Sequence, residues 1–123
     1  MTVKHALEQL KYTDREIESF EDMKHQTIAL YESVDYESDT LQQMIDYTDK
    51  RIEEEQSHYE YWHKLITEIA DDRYRNILTM RYLEDRTVEE VAEELYYTVS
   101  HTFRLTNQAA KVLEQAHRKA YKG

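Results

Sequence analysis

The sequence predicts an all-α fold, a long acidic antiparallel helical hairpin followed by a set of shorter helices. Three observations carry this. The 123 residues contain no Pro, and their single Gly is the last residue, so nothing inside the chain breaks or over-frees a helix. Apolar residues recur at helical spacing through most of the chain. The net charge of −10 is unevenly placed: residues 1–70 hold 17 acidic and 7 basic side chains, residues 71–123 hold 9 of each. The expected division is therefore 1–70, an oligomerising hairpin or coiled coil, and 71–123, a neutral helical domain.

In the first segment Val3, Leu7, Leu10, Ile17 and Phe20 are followed by Ile28, Tyr31 and Val34. Thr13-x-x-Glu16 offers a capping box there, but the stripe passes through Thr13 in phase, and one long helix is expected. Residues 32–40 lose the pattern and read as a loop. Asp39-x-x-Gln42 offers the next N-cap. A 4-3-4-3 series follows: Leu41, Ile45, Thr48, Ile52, Glu55, Tyr59, Trp62, Ile66 and Ile69. Two helices alone have too little core to stand, so a partner is missing. The expected partner is a second copy, forming a homodimer along a seam of Ile45, Ile52, Tyr59, Trp62 and Ile66; the alternative is a monomeric bundle closed by the C-terminal helices.

From Asp71 the helices shorten. Asp72 can cap one through about Glu84, with Ile77, Leu78 and Tyr82 inward. Glu84-Asp85-Arg86 breaks it. Thr87-x-x-Glu90 is a capping box before VEEVAEEL, whose Val88, Val91, Ala92 and Leu95 share a face. Thr98 or Ser100 can cap the last helix, to about Lys119, with an inner stripe of Thr102, Leu105, Ala109, Val112 or Leu113, and Ala116. Helix, break, short helix, tight turn and longer helix is the outline of a helix-turn-helix.

Several function classes fall away. Without Cys there is no disulfide framework or zinc ribbon, and without internal Gly no phosphate-cradling loop. No enzyme is expected: carboxylate pairs such as Asp71-Asp72 and Asp35-Glu37 are common in so acidic a chain. No metal or other cofactor is expected either, because Glu54 and His58 are spaced i, i+4 but His63 turns away. There is no apolar run of membrane-spanning length and no leader pattern, which makes the cytoplasm the expected location.

The residues also carry a resemblance. Thr87-x-x-Glu90-Val91-Ala92-x-x-Leu95 resembles the T-x-x-E-[IV]-A-x-x-L signature of region four of sigma factors, and RNILTMRYLEDRT looks like the segment leading into it. The run LYYTVSHTFRLTNQAAKVL, residues 95–113, is similar to the recognition half of ArpU/RinA-type transcriptional regulators of phages and prophages in Gram-positive bacteria. The acidic hairpin, its loop ending Ser38-Asp39 and a helix ending near Ile69-Ala70-Asp71 resemble that group too. The resemblance implies a phage transcriptional regulator in the bacterial host's cytoplasm. Its partners would be double-stranded promoter DNA and host RNA polymerase. This chain departs from the pattern at Tyr96, where the turn usually has Gly, at Thr102, where Val or Ile usually packs, and in its few cations.

On that reading Ser100, His101 and Arg104 face base edges, and Gln108 and Lys111 face phosphates. Arg73, Arg75 and Arg86 add flanking phosphate contacts. Val99, Thr106 and Asn107 occupy outward or flanking positions. Tyr96, Val99 and Phe103 form an apolar patch that suits thymine methyls or a protein partner equally. A protein-binding regulator that keeps the helix-turn-helix shape without DNA affinity is the competing reading.

Overall fold

The computed structural model describes residues 2–33 and 39–122. Among the described residues all regular structure is helical, and there is no strand. The helices are α1 (Val3–Leu10), α2 (Thr13–Ser33), α3 (Asp39–Thr67), α4 (Asp72–Leu78), α5 (Val88–Leu95) and α6 (Val99–Lys122). A π-helical turn, Thr79–Leu83, continues α4. The readings placed on Val34, on Asp35 and Glu37, and on Ser38 fall outside the described residues.

The expected single first helix is two helices. α1 ends at Leu10 and α2 begins at Thr13, after a turn at Lys11 and Tyr12. Both pieces keep the same hydrophobic phase, which is why periodicity alone reads through the break.

The chain forms two compact units, Met1–Lys11 with Glu60–Gly123, and Tyr12–Tyr59. This grouping differs from a division at 70/71, because α1 and the end of α3 pack with the C-terminal helices. α1 contacts α6 and the π turn, and buries Val3, Ala6, Leu7 and Leu10. The same core takes Trp62, Leu65, Ile66 and Ile69 from α3 and the residues just after it. Ile77, Leu78 and Tyr82 are buried with Val88, Val91 and Ala92, as their spacing predicts. α6 supplies Leu105, Ala109 and Leu113. Farther along α6, His117 sits in an aromatic nest. Its Nδ1 is 2.6 Å from the Tyr61 hydroxyl, and the Trp62 and Tyr121 rings each lie 4.8 Å away.

In the unit Tyr12–Tyr59, three contacts pair α2 with α3. Arg51 lies 5.3 Å over the Phe20 ring, Lys24 pairs with Asp49 at 2.5 Å, and Glu16 adjoins Glu55. Position rises along α2 as it falls along α3, so the two run antiparallel. Burial and the neighbouring Glu16 push the Glu55 carboxyl above its ordinary pKa. The buried residues described here are all threonines: Thr13, Thr27 and Thr48. The hydroxyls of Thr27 and Thr48 donate to carbonyls one turn back, at 2.8 Å to Met23 and 2.9 Å to Ile45. Ile45, Ile52 and Tyr59 are half-buried. Trp62 and Ile66, expected on a seam between copies, are instead enclosed in the core of the other unit. Helical spacing marks an apolar face but not what covers it.

Leu7 has no exposed surface and contributes to the core around α6. Leu7→Ala should lower the unfolding free energy by about 2–5 kcal/mol. Trp62, the chain's one tryptophan, lies in the same core and reports the transition by fluorescence in urea. An unchanged midpoint would mean that α1 does not belong to this core.

Candidate nucleic-acid interface

Local chemistry fixes each end of the helix pair α5–α6. Thr87 Oγ1 accepts from the Glu90 backbone N–H at 3.1 Å, and Glu90 Oε1 accepts from the Thr87 N–H at 3.2 Å, completing the expected capping box. The Thr87 backbone donor holds the Glu90 carboxyl below its ordinary value. That stabilisation is complete above the ordinary carboxylate pKa and is lost as pH falls through the depressed folded value. Of the two candidate caps for α6 the structure uses Thr98, whose hydroxyl accepts from the His101 N–H at 3.0 Å. Upstream, α4 is capped by Asp71 rather than Asp72: Asp71 accepts from the Arg73 N–H at 2.9 Å. Arg73's side chain, bonded to the same carboxylate, keeps the Asp71 pKa low.

The turn between α5 and α6 is closed by two backbone bonds, Tyr97 N–H to the Ala92 carbonyl at 2.9 Å and Tyr96 N–H to the Glu93 carbonyl at 3.3 Å. This is the helix stop in which Gly normally takes the left-handed position. Tyr96 occupies it with φ 59°, so the turn keeps the left-handed conformation despite the missing Gly. Its side chain is 96% exposed, so no burial inside the protein offsets the strain. Asp85 closes the preceding break with φ 52°.

α6 buries Thr102, Leu105, Thr106, Ala109 and Leu113 on one face. Thr106, expected outward or on the flank, is buried, because its hydroxyl donates to the Thr102 carbonyl at 2.7 Å. Thr102 does the same to the Thr98 carbonyl at 2.9 Å, so a threonine stands where an aliphatic side chain packs in related helices. At about 100° per residue, the opposite face carries Ser100, Arg104, Asn107 and Lys111, all exposed. Asn107, expected outward or on the flank, lies on this face. The 4-3-4 spacing with Ser100, Arg104 and Lys111 was the available signal. His101 and Gln108 lie toward one flank. His101 is half-buried, edge-on to the Tyr97 ring at 4.8 Å, and Gln108 accepts from the Tyr74 hydroxyl at 3.4 Å. On the other flank Val99 and Phe103 are 40% and 49% exposed.

The flanking arginines are already engaged. Arg73 is bonded to Asp71, and Arg75 to Asp72 and, at 2.8 Å, to the Ile69 carbonyl. Arg86 pairs with Glu94 at 3.4 Å and Glu84 at 3.7 Å. Phosphate contact by these three must compete with carboxylates. Among the described residues Arg104 and Lys111 form no ion pair. The exposed side of α5 carries Glu89, Glu90, Glu93 and Glu94, a run of one sign that repels phosphate. No three acidic or histidine side chains among the described residues converge as a metal site requires. Nor is any described helix long and apolar enough to cross a membrane.

Residues 71–115 match the family Sigma-70, region 4. The matched segment holds α4, the π turn, α5 and most of α6, so the helix-turn-helix part of the chain is similar to region four of sigma factors. Neither the curated proteins nor the solved structures gave a match to the chain.

Relieving the left-handed strain gives a direct test of the turn. Tyr96→Gly should raise the unfolding free energy by about 1 kcal/mol, since the strain removed exceeds the added chain entropy. Equilibrium denaturation measures this. A loss of stability would mean that the Tyr96 side chain holds the turn through contacts of its own.

Proposed function

We propose that the protein is a transcriptional regulator of a phage or prophage, acting as a homodimer that binds promoter DNA in the bacterial host's cytoplasm. α6 would enter the major groove. Ser100, Arg104 and Asn107 would face base edges, and Lys111 the backbone. His101 and Gln108 would contact DNA from the flank, and Arg73, Arg75 and Arg86 would supply phosphate contacts only by exchanging their carboxylate partners. The reading is carried by one observation: the Sigma-70, region 4 match falls on the helices whose outward face presents Arg104 and Lys111 without ion pairs among the described residues. The phage assignment rests on the resemblance of residues 95–113 and of the acidic hairpin to ArpU/RinA-type regulators. That resemblance also brings host RNA polymerase in as a second partner.

So few cations predict weak, salt-sensitive binding by one chain, and two half-sites in a dimer offset this. A second reading is favoured by the exposure of Tyr96, Val99 and Phe103 beside the glutamates of α5. It makes this corner a protein contact.

A gel shift against duplex fragments of the source genome across a salt series separates the two. One fragment should stay bound at moderate salt. Replacing both Arg104 and Lys111 by Ala should abolish retention while leaving helicity intact. At low salt, where residual binding is measurable, the slope of log affinity against log salt should fall by about 2. Retention of nothing at any salt would overturn DNA binding, and Phe103→Ala would then be tested for loss of a protein complex.

A further inference from the structure

α6 presents two flanks of opposite character beside its outward face. His101 and Gln108 make one flank polar, and Val99 and Phe103 make the other apolar. Val99 and Phe103 are spaced i, i+4 and form one strip. At about 100° per residue, Phe103 lies about 40° from Asn107 and about 60° from Ser100. It therefore stands at the edge of the face given above to base contact. Tyr96 belongs elsewhere, lining an acidic hollow with Arg86, Glu90, Glu93 and Glu94.

Size and setting decide what covers the apolar flank. Val99 and Phe103 are 40% and 49% exposed and together offer on the order of 150 Å², where a stable protein interface takes about 800 Å² a side. A major groove needs far less. It is about 12 Å wide and a helix with its side chains is about 10–12 Å across, so a helix laid in it brings its flanks as well as its centre against base edges. Those edges are polar except at one group, the C5-methyl of thymine. Against any other base, Phe103 would cover donors and acceptors that it cannot satisfy. Beside a thymine it buries apolar surface on both sides. Asn107 gives a reason for a thymine to be near. Its amide suits a two-bond contact with adenine, and the base paired to that adenine carries a methyl into the same groove.

We infer that Val99 and Phe103 are specificity-determining residues that read thymine methyl groups next to an adenine at Asn107. The inference rests on the DNA-binding reading above and deepens it, by naming A·T pairs as what lies under the Phe103 side of α6.

The test uses the full chain and the genomic fragment that it retains, at one low salt concentration. The duplex is synthesised twice, once with thymidine and once with deoxyuridine in every thymidine position. This deletes the methyls and keeps every phosphate and base-pair hydrogen bond. Affinity should be at least about fourfold lower for the deoxyuridine duplex, the effect of one buried methyl. Val99→Ser combined with Phe103→Ser should bind the thymidine duplex more weakly and bring the ratio to about one. Phe103→Gln alone should lower the ratio too, a readout that holds if the double variant loses helicity. Arg104→Ala should weaken both duplexes and keep the ratio, which separates methyl reading from a general loss of binding. Equal affinity of the unaltered chain for the two duplexes, or an undiminished ratio in the Phe103 variants, overturns the inference and leaves the flank to a protein partner. Retention without discrimination defeats this inference alone, whereas retention of no duplex at any salt defeats the DNA reading and the inference together.

Discussion

The buried stripe of α6 is the constraint on which the rest of the molecule depends. Thr102, Leu105, Thr106, Ala109 and Leu113 form a face against which α1, α4 and α5 all pack. Once that face is inside, rotation of α6 about its own axis is fixed, and the residues half a turn away have no choice but water. Ser100, Arg104, Asn107 and Lys111 are presented together for that reason. The two threonines belong in the stripe because each hydroxyl donates to a carbonyl one turn back, which leaves only methyl groups toward the core.

Electrostatics then decides what the presented face can do. Most arginines of the C-terminal unit are tied to neighbouring carboxylates, one of which, Asp71, also caps the start of α4. Arg104 and Lys111 stand apart from these pairs. The glutamates of α5 and the strained, exposed Tyr96 border the same face. They narrow the approach of a polyanion to the axis of α6, and they give the adjoining corner a mixed acidic and aromatic character. The hairpin carries the chain's whole excess of negative charge, a sign that repels nucleic acid from that unit.

Much of this was legible in the sequence where the determinants are local. The Thr87–Glu90 box and the inward faces of α4 and α5 each depend on residues within one or two turns of each other, whereas Tyr96 in place of Gly left open whether its turn would keep a positive φ. What depended on distant packing was not legible. The break after Leu10 keeps the hydrophobic phase, so no pattern distinguishes one helix from two there. α1 joins a core formed by residues more than fifty positions away, and Trp62 and Ile66 take the same core rather than a seam. Thr106 looked polar and outward because residue type hides a hydroxyl satisfied within its own helix. Asn107, expected outward or on the flank, is exposed beside Arg104, as its spacing from Ser100 and Lys111 requires.

The central claim is that DNA meets the outward face of α6. Backbone amide chemical shifts, followed while the protein is titrated at low salt with a duplex retained from its source genome, test this most directly. The account predicts perturbations concentrated between Thr98 and Lys111, strongest at Ser100, Arg104 and Asn107, with the hairpin residues 13–33 unmoved. Shifts confined to the hairpin or to α1, with α6 silent under saturating DNA, would contradict it.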